Sequence, residues 1–282
     1  MTLQEIQQLI RNKLKDIYES IELNSLVNIL IEDTTGWDKI HQNMHKNEVL
    51  GEDKINLLNQ YTEELMQGRP IQYILNKAWF LNKELKVNEH VLIPRPETEE
   101  LVEWVIEYAS IIHEPLDIVD IGTGSGCIAI SLATALPDCK ISAIDISETA
   151  LEVAKMNAEK HHANIEWQCL DILQSKKMPR KYDVIVSNPP YIPMREKENM
   201  QKQVTDHEPS IALFVGDQYP LIFYSKIAKL GKDSLNANGQ LFFEIHYDQG
   251  EAIVHLLDEM GYHAELRQDM YGKDRMVRAS LK

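Results

Sequence analysis

The amino-acid pattern predicts an α/β fold: a doubly wound sheet of seven strands, mostly parallel, behind a small all-helical N-terminal domain. Three observations carry this. After residue 115, short runs rich in β-branched residues alternate with stretches of helical periodicity, which is the signature of strands joined by crossover helices. Before residue 76 the periodicity is helical throughout. The last two strand-like runs are joined only by Gln268 to Asp274, too short for a crossover helix, so the final strand is antiparallel.

Taken in order, Leu9, Ile10, Leu14, Ile17, Tyr18 and Ile21 recur at helical spacing, and Leu26, Val27, Leu30 and Ile31 continue a second apolar face. Leu57, Leu58, Tyr61 and Leu65 mark a further helix that Gly68-Arg69-Pro70 ends. These define a helical domain over residues 1–75. His41 and His45 stand four apart, a spacing that can bind metal, but no third ligand accompanies them and no metal site is expected. Residues 76–94 read as a β-hairpin linker with its turn at Asn82-Lys83. The third domain spans 95–282. Its first helix starts at Pro96, whose missing N–H is harmless there, with acidic residues in the first turn. Local pattern makes Arg95 and Glu97 helix-start chemistry.

Strands are expected near 117–121, 140–146, 165–169, 182–188, 239–246, 262–267 and 275–281, with helices near 125–135, 148–162, 218–230 and 249–259. The first strand, Leu116 to Ile121, runs into Gly122-Thr123-Gly124-Ser125-Gly126 and then an apolar helix. Glycines let the backbone turn tightly and approach a ligand closely. A dinucleotide loop, G-x-G-x-x-G, would need glycine at 127, where Cys127 stands. The second strand ends in Asp145, 21 residues after Gly124. A carboxylate there can accept from two ribose hydroxyls. It can also cap the next helix, but Ser147 is already a good cap. After the third strand, Asp171 can accept from an adenine amino group and Ile172 can pack on its ring.

The fourth strand, Tyr182 to Val186, ends in Ser187-Asn188-Pro189-Pro190-Tyr191. Neither proline has a backbone N–H, so this tip offers carbonyl acceptors beside the Asn188 side chain. A residue before proline is pushed to extended geometry, which projects Asn188 past the sheet edge. Such a tip suits a substrate that donates from an NH2 group. Taken alone, Asn-Pro and Pro-Pro are more often turn punctuation. The glycine loop and Asp145 change that, because ligands bind at the carboxyl ends of strands in open α/β sheets.

Composition narrows the partners. The net charge of −15, with no long Lys/Arg block, disfavours direct binding of nucleic acid. No apolar run reaches the roughly 18 residues a membrane span needs. The first residues carry neither the basic nor the apolar part of a signal peptide, and a cytoplasmic location is expected. Cys127, Cys139 and Cys169 are scattered and odd in number, so they read as small buried apolar residues rather than disulfide partners.

Together these residues resemble the class I methyltransferases, whose Rossmann-like seven-stranded sheet binds S-adenosyl-L-methionine. Asn188-Pro189-Pro190-Tyr191 narrows the resemblance to amino and amide methyltransferases. Gly68 to Ile74, Val91-Leu92-Ile93-Pro94-Arg95-Pro96-Glu97-Thr98-Glu99, Glu208 to Leu213 and Gly272-Lys273-Asp274-Arg275 narrow it to the HemK/PrmC family. The resemblance implies methylation of the glutamine in the Gly-Gly-Gln motif of peptide chain release factors, with S-adenosyl-L-homocysteine as product. It implies that the helical domain grips the protein substrate. It makes Gly122, Thr123, Gly124, Ser125, Gly126, Asp145, Asp171, Ile172 and Asn188 the cofactor residues. Asn188, Pro189 and Tyr191 become catalytic, and Pro190 joins them as a substrate residue. Tyr191 would pack on the flat amide, and no strong base is evident at the tip. Two departures stand out: Asn76 where the family usually has glycine, and Phe214 to Tyr219 where a Gly-Gly-x-Asp-Gly run is usual. Two rival readings share the tip or the loop: an adenine- or cytosine-amino methyltransferase acting on DNA or RNA, and a non-catalytic cofactor-binding adaptor.

Overall fold

The computed structural model describes residues 1–112 and 114–282. The chain divides into two compact units, Met1–Asn76 with Lys202–His207, and Lys77–Gln201 with Glu208–Lys282.

The first unit is helical: α1 Leu3–Leu14, α2 Ser20–Thr35, α3 Lys39–Met44, α4 Glu52–Met66 and α5 Ile71–Ile74. Thr2 caps α1 through a capping box with Glu5, which satisfies two otherwise orphaned N–H groups. Leu3, Ile6, Ile10 and Leu14 then form one buried stripe. The stripe does not continue as the spacing predicts. The chain turns between Leu14 and Ser20, the helical ladder restarts, and Ile17 and Ile21 are exposed while Tyr18 is buried. Gly68 ends the α4 region in the left-handed conformation. His41 pairs with Asp38, and His45 pairs with Glu48 and stacks on Trp37. The segment Lys202–His207 groups with this unit, and Gln203 Nε2 donates to the Tyr18 hydroxyl at 3.4 Å.

The second unit opens with the hairpin β1 Lys77–Phe80 and β2 Lys83–Lys86. Phe80 pairs with Lys83, so Leu81-Asn82 form the two-residue turn, one residue earlier than the sequence suggested. Both have positive φ, +44° and +60°, as a twist-matched hairpin turn requires. Asn76 also has positive φ, +53°, and asparagine tolerates this conformation, which accounts for its presence where the family usually has glycine. The elements that follow are α6 Pro96–Ile112, β3 Asp117–Ile121, α7 Cys127–Ala135, β4 Lys140–Asp145, α8 Glu148–Lys160, β5 Ile165–Cys169 and β6 Tyr182–Ser187. Next come β7 Ile192–Pro193, the first unit's α9 Lys202–His207, α10 Ser210–Leu213, β8 Phe214–Val215 and α11 Ile222–Ser234. The chain closes with β9 Leu235–Glu244, α12 Gly250–Glu259, β10 Tyr262–Gln268 and β11 Asp274–Leu281. The departing run at Phe214 becomes β8, which pairs with β7.

Seven strands form one sheet in the order β10-β11-β9-β6-β3-β4-β5. The inner strands are parallel, and β11 runs antiparallel to both neighbours, as expected. Side chains alternate between faces. Ile118, Val184 and Val186 pack under α6 and α7, while Val119, Ile121 and Ile185 pack with residues of α11 and α12. Burial on both faces explains why the inner strands read as continuous apolar runs. Two cysteines, Cys127 and Cys139, pack partly buried against this core, but Cys169 is exposed, contrary to expectation. It ends the edge strand β5, where one side lacks a neighbour.

Candidate active site

Register builds the site. Ile121 on β3 pairs with Ile144 on β4 and with Ser187 on β6. The next residues, Gly122, Asp145 and Asn188, therefore leave the sheet together at its carboxyl edge. Ser187 also pairs with Phe243, so Glu244 at the end of β9 comes beside Asn188.

A cleft at this edge is lined by Gly122, Gly124, Asp145, Asp171, Ile172, Asn188, Pro189 and Pro190, among others. Thr123, Ser125, Gly126 and Tyr191 lie outside that lining. Gly122 and Gly124 have φ of +76° and +54°, and no atom lies within 4 Å of where a Cβ would stand. They leave open space toward the cleft. Gly126 serves packing instead. At φ +83° its Cβ would meet Ile130 Cδ1 at 3.0 Å and Ala154 Cβ at 3.2 Å. The Thr123 hydroxyl donates to buried Asp120 at 2.6 Å. Burial pushes the Asp120 carboxyl up to about 7, opposed by that bond.

Asp145 is not free of protein partners. Oδ2 accepts from Gly124 N and Oδ1 from Ser147 N, both at 2.9 Å. Ser147 still caps α8 through Ala150 N, so the carboxylate ties the glycine loop to the helix start. Burial raises the Asp145 carboxyl, and the N–H donors oppose the shift. Each oxygen keeps a lone pair for a further donor. Asp171 Oδ1 holds its own turn, accepting from Leu173 N at 2.8 Å.

At the tip, Asn188 Nδ2 donates to Thr98 Oγ1 at 3.1 Å, and the Thr98 hydroxyl donates to Glu244 Oε2 at 2.6 Å. The Tyr191 hydroxyl donates to Glu244 Oε1 at 3.2 Å, and its ring lies 5.9 Å from that of His246. Glu244 is 1% exposed. Burial pushes its carboxyl up to about 7 against the opposing pull of Thr98 and Arg275. Burial also raises the Tyr191 phenol far above its usual range, so it stays a neutral donor. Sequence reading missed Glu244, although one carboxylate ending the apolar run Leu241-Phe242-Phe243 was a visible signal. A carboxylate thus stands in direct contact with Tyr191 at the tip, where no strong base was evident from the sequence. Arg95 likewise has more than a local part. It pairs with buried Glu208, whose Oε2 also accepts from Ile93 N at 3.2 Å, joining two of the family segments.

The sheet order and the loop at its carboxyl edge define a class I methyltransferase fold. The fold resembles that of a methyltransferase from Pyrococcus furiosus, with TM-score 0.52 and 16% identity over 78% of this chain and 97% of that one. Residues 5–75 match the family described as PrmC N-terminal domain, and residues 109–207 match Methyltransferase small domain. A release factor glutamine methyltransferase from Flavobacterium psychrophilum is 42% identical over 95% of each chain. One from Bacteroides thetaiotaomicron is 40% identical over 96% of this chain and 97% of that one, and one from Bacillus subtilis is 39% identical over 92% of each. The chain belongs to the release factor glutamine methyltransferase family.

Proposed function

We propose that this protein methylates the side-chain amide nitrogen of the glutamine in the Gly-Gly-Gln motif of peptide chain release factors, with S-adenosyl-L-methionine as methyl donor. The observation that carries the reading is the register that brings Gly122, Asp145 and Asn188 to one cleft in a chain of this family.

The cleft suits the cofactor. Gly122 and Gly124 leave room for close backbone approach. Asp145 keeps lone pairs for ribose hydroxyls, and Asp171 and Ile172 line the wall where an adenine would lie. The Ser125 carbonyl holds the loop from behind by accepting from Asn157 Nδ2 at 2.9 Å, Gly126 does so by close packing, and Thr123 through Asp120. When bound, the cofactor would supply an electrophilic methyl carried on a sulfonium, which would leave as a neutral thioether.

The remaining chemistry belongs to this chain. An amide nitrogen is a poor nucleophile because its lone pair is delocalised, a resonance that resists rotation by about 18–20 kcal/mol in the peptide unit. Asn188 Oδ1 and the Pro189 carbonyl accept the two amide hydrogens. They aim the lone pair and draw off positive charge as the N–C bond forms. The surplus proton leaves to solvent. Pro190 keeps the tip free of competing N–H donors. Tyr191 braces the tip through Glu244. The helical residues 1–75 grip the protein substrate, and 95–282 carry out the transfer. A net charge of −15 favours a protein over a nucleic-acid substrate. Among the described residues no helix is long and apolar enough to cross a membrane. A substrate of translation termination puts the enzyme in the cytoplasm, and free cysteines fit a reducing compartment.

The test is transfer from labelled S-adenosyl-L-methionine to an unmodified release factor. One labelled glutamine, located by mass spectrometry, is the expected result. Label on DNA and none on the factor would overturn the reading.

A further inference from the structure

We propose that Thr98 and Glu244 form a positioning relay that decides which end of the Asn188 amide faces the substrate. The proposal rests on the methyl-transfer reading above.

The argument is one of donor count. An ionised carboxylate only accepts. Thr98 has a single hydroxyl hydrogen, and Glu244 Oε2 takes it at 2.6 Å. The remaining lone pairs on Thr98 Oγ1 can only accept, so the end of the Asn188 amide that faces them must be the NH2 end. That contact is 3.1 Å. The amide is planar, so anchoring Nδ2 turns Oδ1 away from Thr98, where it serves as the acceptor the reaction needs. A flipped amide would set donor against donor and repel the glutamine NH2. Distance by itself does not assign the two ends of an asparagine amide; the partner network does. The same carboxylate holds Tyr191 through Oε1, so one buried group braces both side chains of the tip. A buried carboxylate is costly unless it is hydrogen-bonded, and both oxygens of Glu244 are. Thr98 and Glu244 are separated by 146 residues, so no local structural rule asks for the pair.

The test uses full-length Thr98→Ser, Thr98→Val and Glu244→Gln, with thermal melts to verify folding. Thr98→Ser keeps the hydroxyl and should retain kcat within about threefold. Thr98→Val and Glu244→Gln should lose roughly 10–100-fold in kcat. Cofactor Kd should stay within a few fold in all three. The double variant should be no worse than the poorer single one, because both break one unit. Equal losses in Thr98→Ser and Thr98→Val, or a near-normal folded Thr98→Val, would overturn the relay. A second readout needs no substrate. The Asn188 side-chain NH2 resonances should be protected from exchange in the wild type and in Thr98→Ser, and unprotected in Thr98→Val. Unprotected resonances in the wild type would overturn the relay whatever the assay shows. A wild type with protected resonances but no transfer to a release factor would instead count against the functional reading.

Discussion

The Thr98 hydroxyl donates to Glu244 Oε2 at 2.6 Å, from the first turn of α6 to the last residue of β9. This contact joins the family segment Val91 to Glu99 to the end of β9, beside the tip at Asn188 to Tyr191.

On the proposed relay, turnover should depend on the charge of Glu244. The titratable groups facing it are Arg275 on β11, Glu97 on α6, Tyr191 after β6, Tyr224 on α11 and Cys127 on α7. Below about 7 the carboxyl gains a proton and becomes a donor to Thr98. With that proton on Oε2, the Thr98 hydrogen is free for Asn188 Oδ1, and the flipped amide should be favoured. A kcat profile should fall as pH drops through about 7, and Glu244→Gln should be low and flat across that range.

Stability should show the opposite trend. The folded pKa of Glu244 lies above its unfolded value of about 4.5, so the native state binds the proton more tightly. The slope of unfolding free energy with pH is then negative between the two values. Stability present below about 4.5 is lost as pH rises through about 7, by up to about 3 kcal/mol. Glu244→Gln removes this loss. Melts at pH 5 and pH 8 should show the variant gaining relative to wild type at the higher pH.

Asn188→Ala should lose turnover while cofactor affinity stays within a few fold, since it removes the acceptor and leaves the glycine loop intact. Calorimetry for binding and a single-turnover assay for transfer separate the two. Near-normal turnover would refute the acceptor role.

Gly124→Ala and Gly126→Ala should differ. Both place a Cβ on left-handed backbone, at a cost of roughly 1–2 kcal/mol. At Gly124 the added methyl enters open space, so the main loss should be in cofactor affinity. At Gly126 it strikes Ile130 and Ala154. There stability should fall further, by roughly another 1–3 kcal/mol of overpacking, seen as a lower melting temperature.

Arg95→Ala strands the buried Glu208 carboxylate, whose side chain is 1% exposed. The loss should be about 3 kcal/mol, the lower end for such pairs because Arg95 is about a third exposed. Arg95→Ala combined with Glu208→Gln should recover much of it in denaturant titrations.

What the sequence determined by itself were the features that local chemistry dictates. The strand at 117–121 could be read because both faces are buried, the start of α6 at Pro96 because proline has no N–H to lose, and the Ser147 cap because its oxygen answers a nearby N–H. The tip at Asn188 to Tyr191 stood out because two prolines strip it of donors. Tertiary structure alone decided what joins those features. It paired Arg95 with Glu208, gave the Asp145 oxygens to Gly124 and Ser147, turned Gly126 inward, and set Glu244 behind Thr98 and Tyr191. Most of these contacts join residues far apart in the chain. Periodicity reports the face a residue presents, while sheet order and register decide which distant residue meets it.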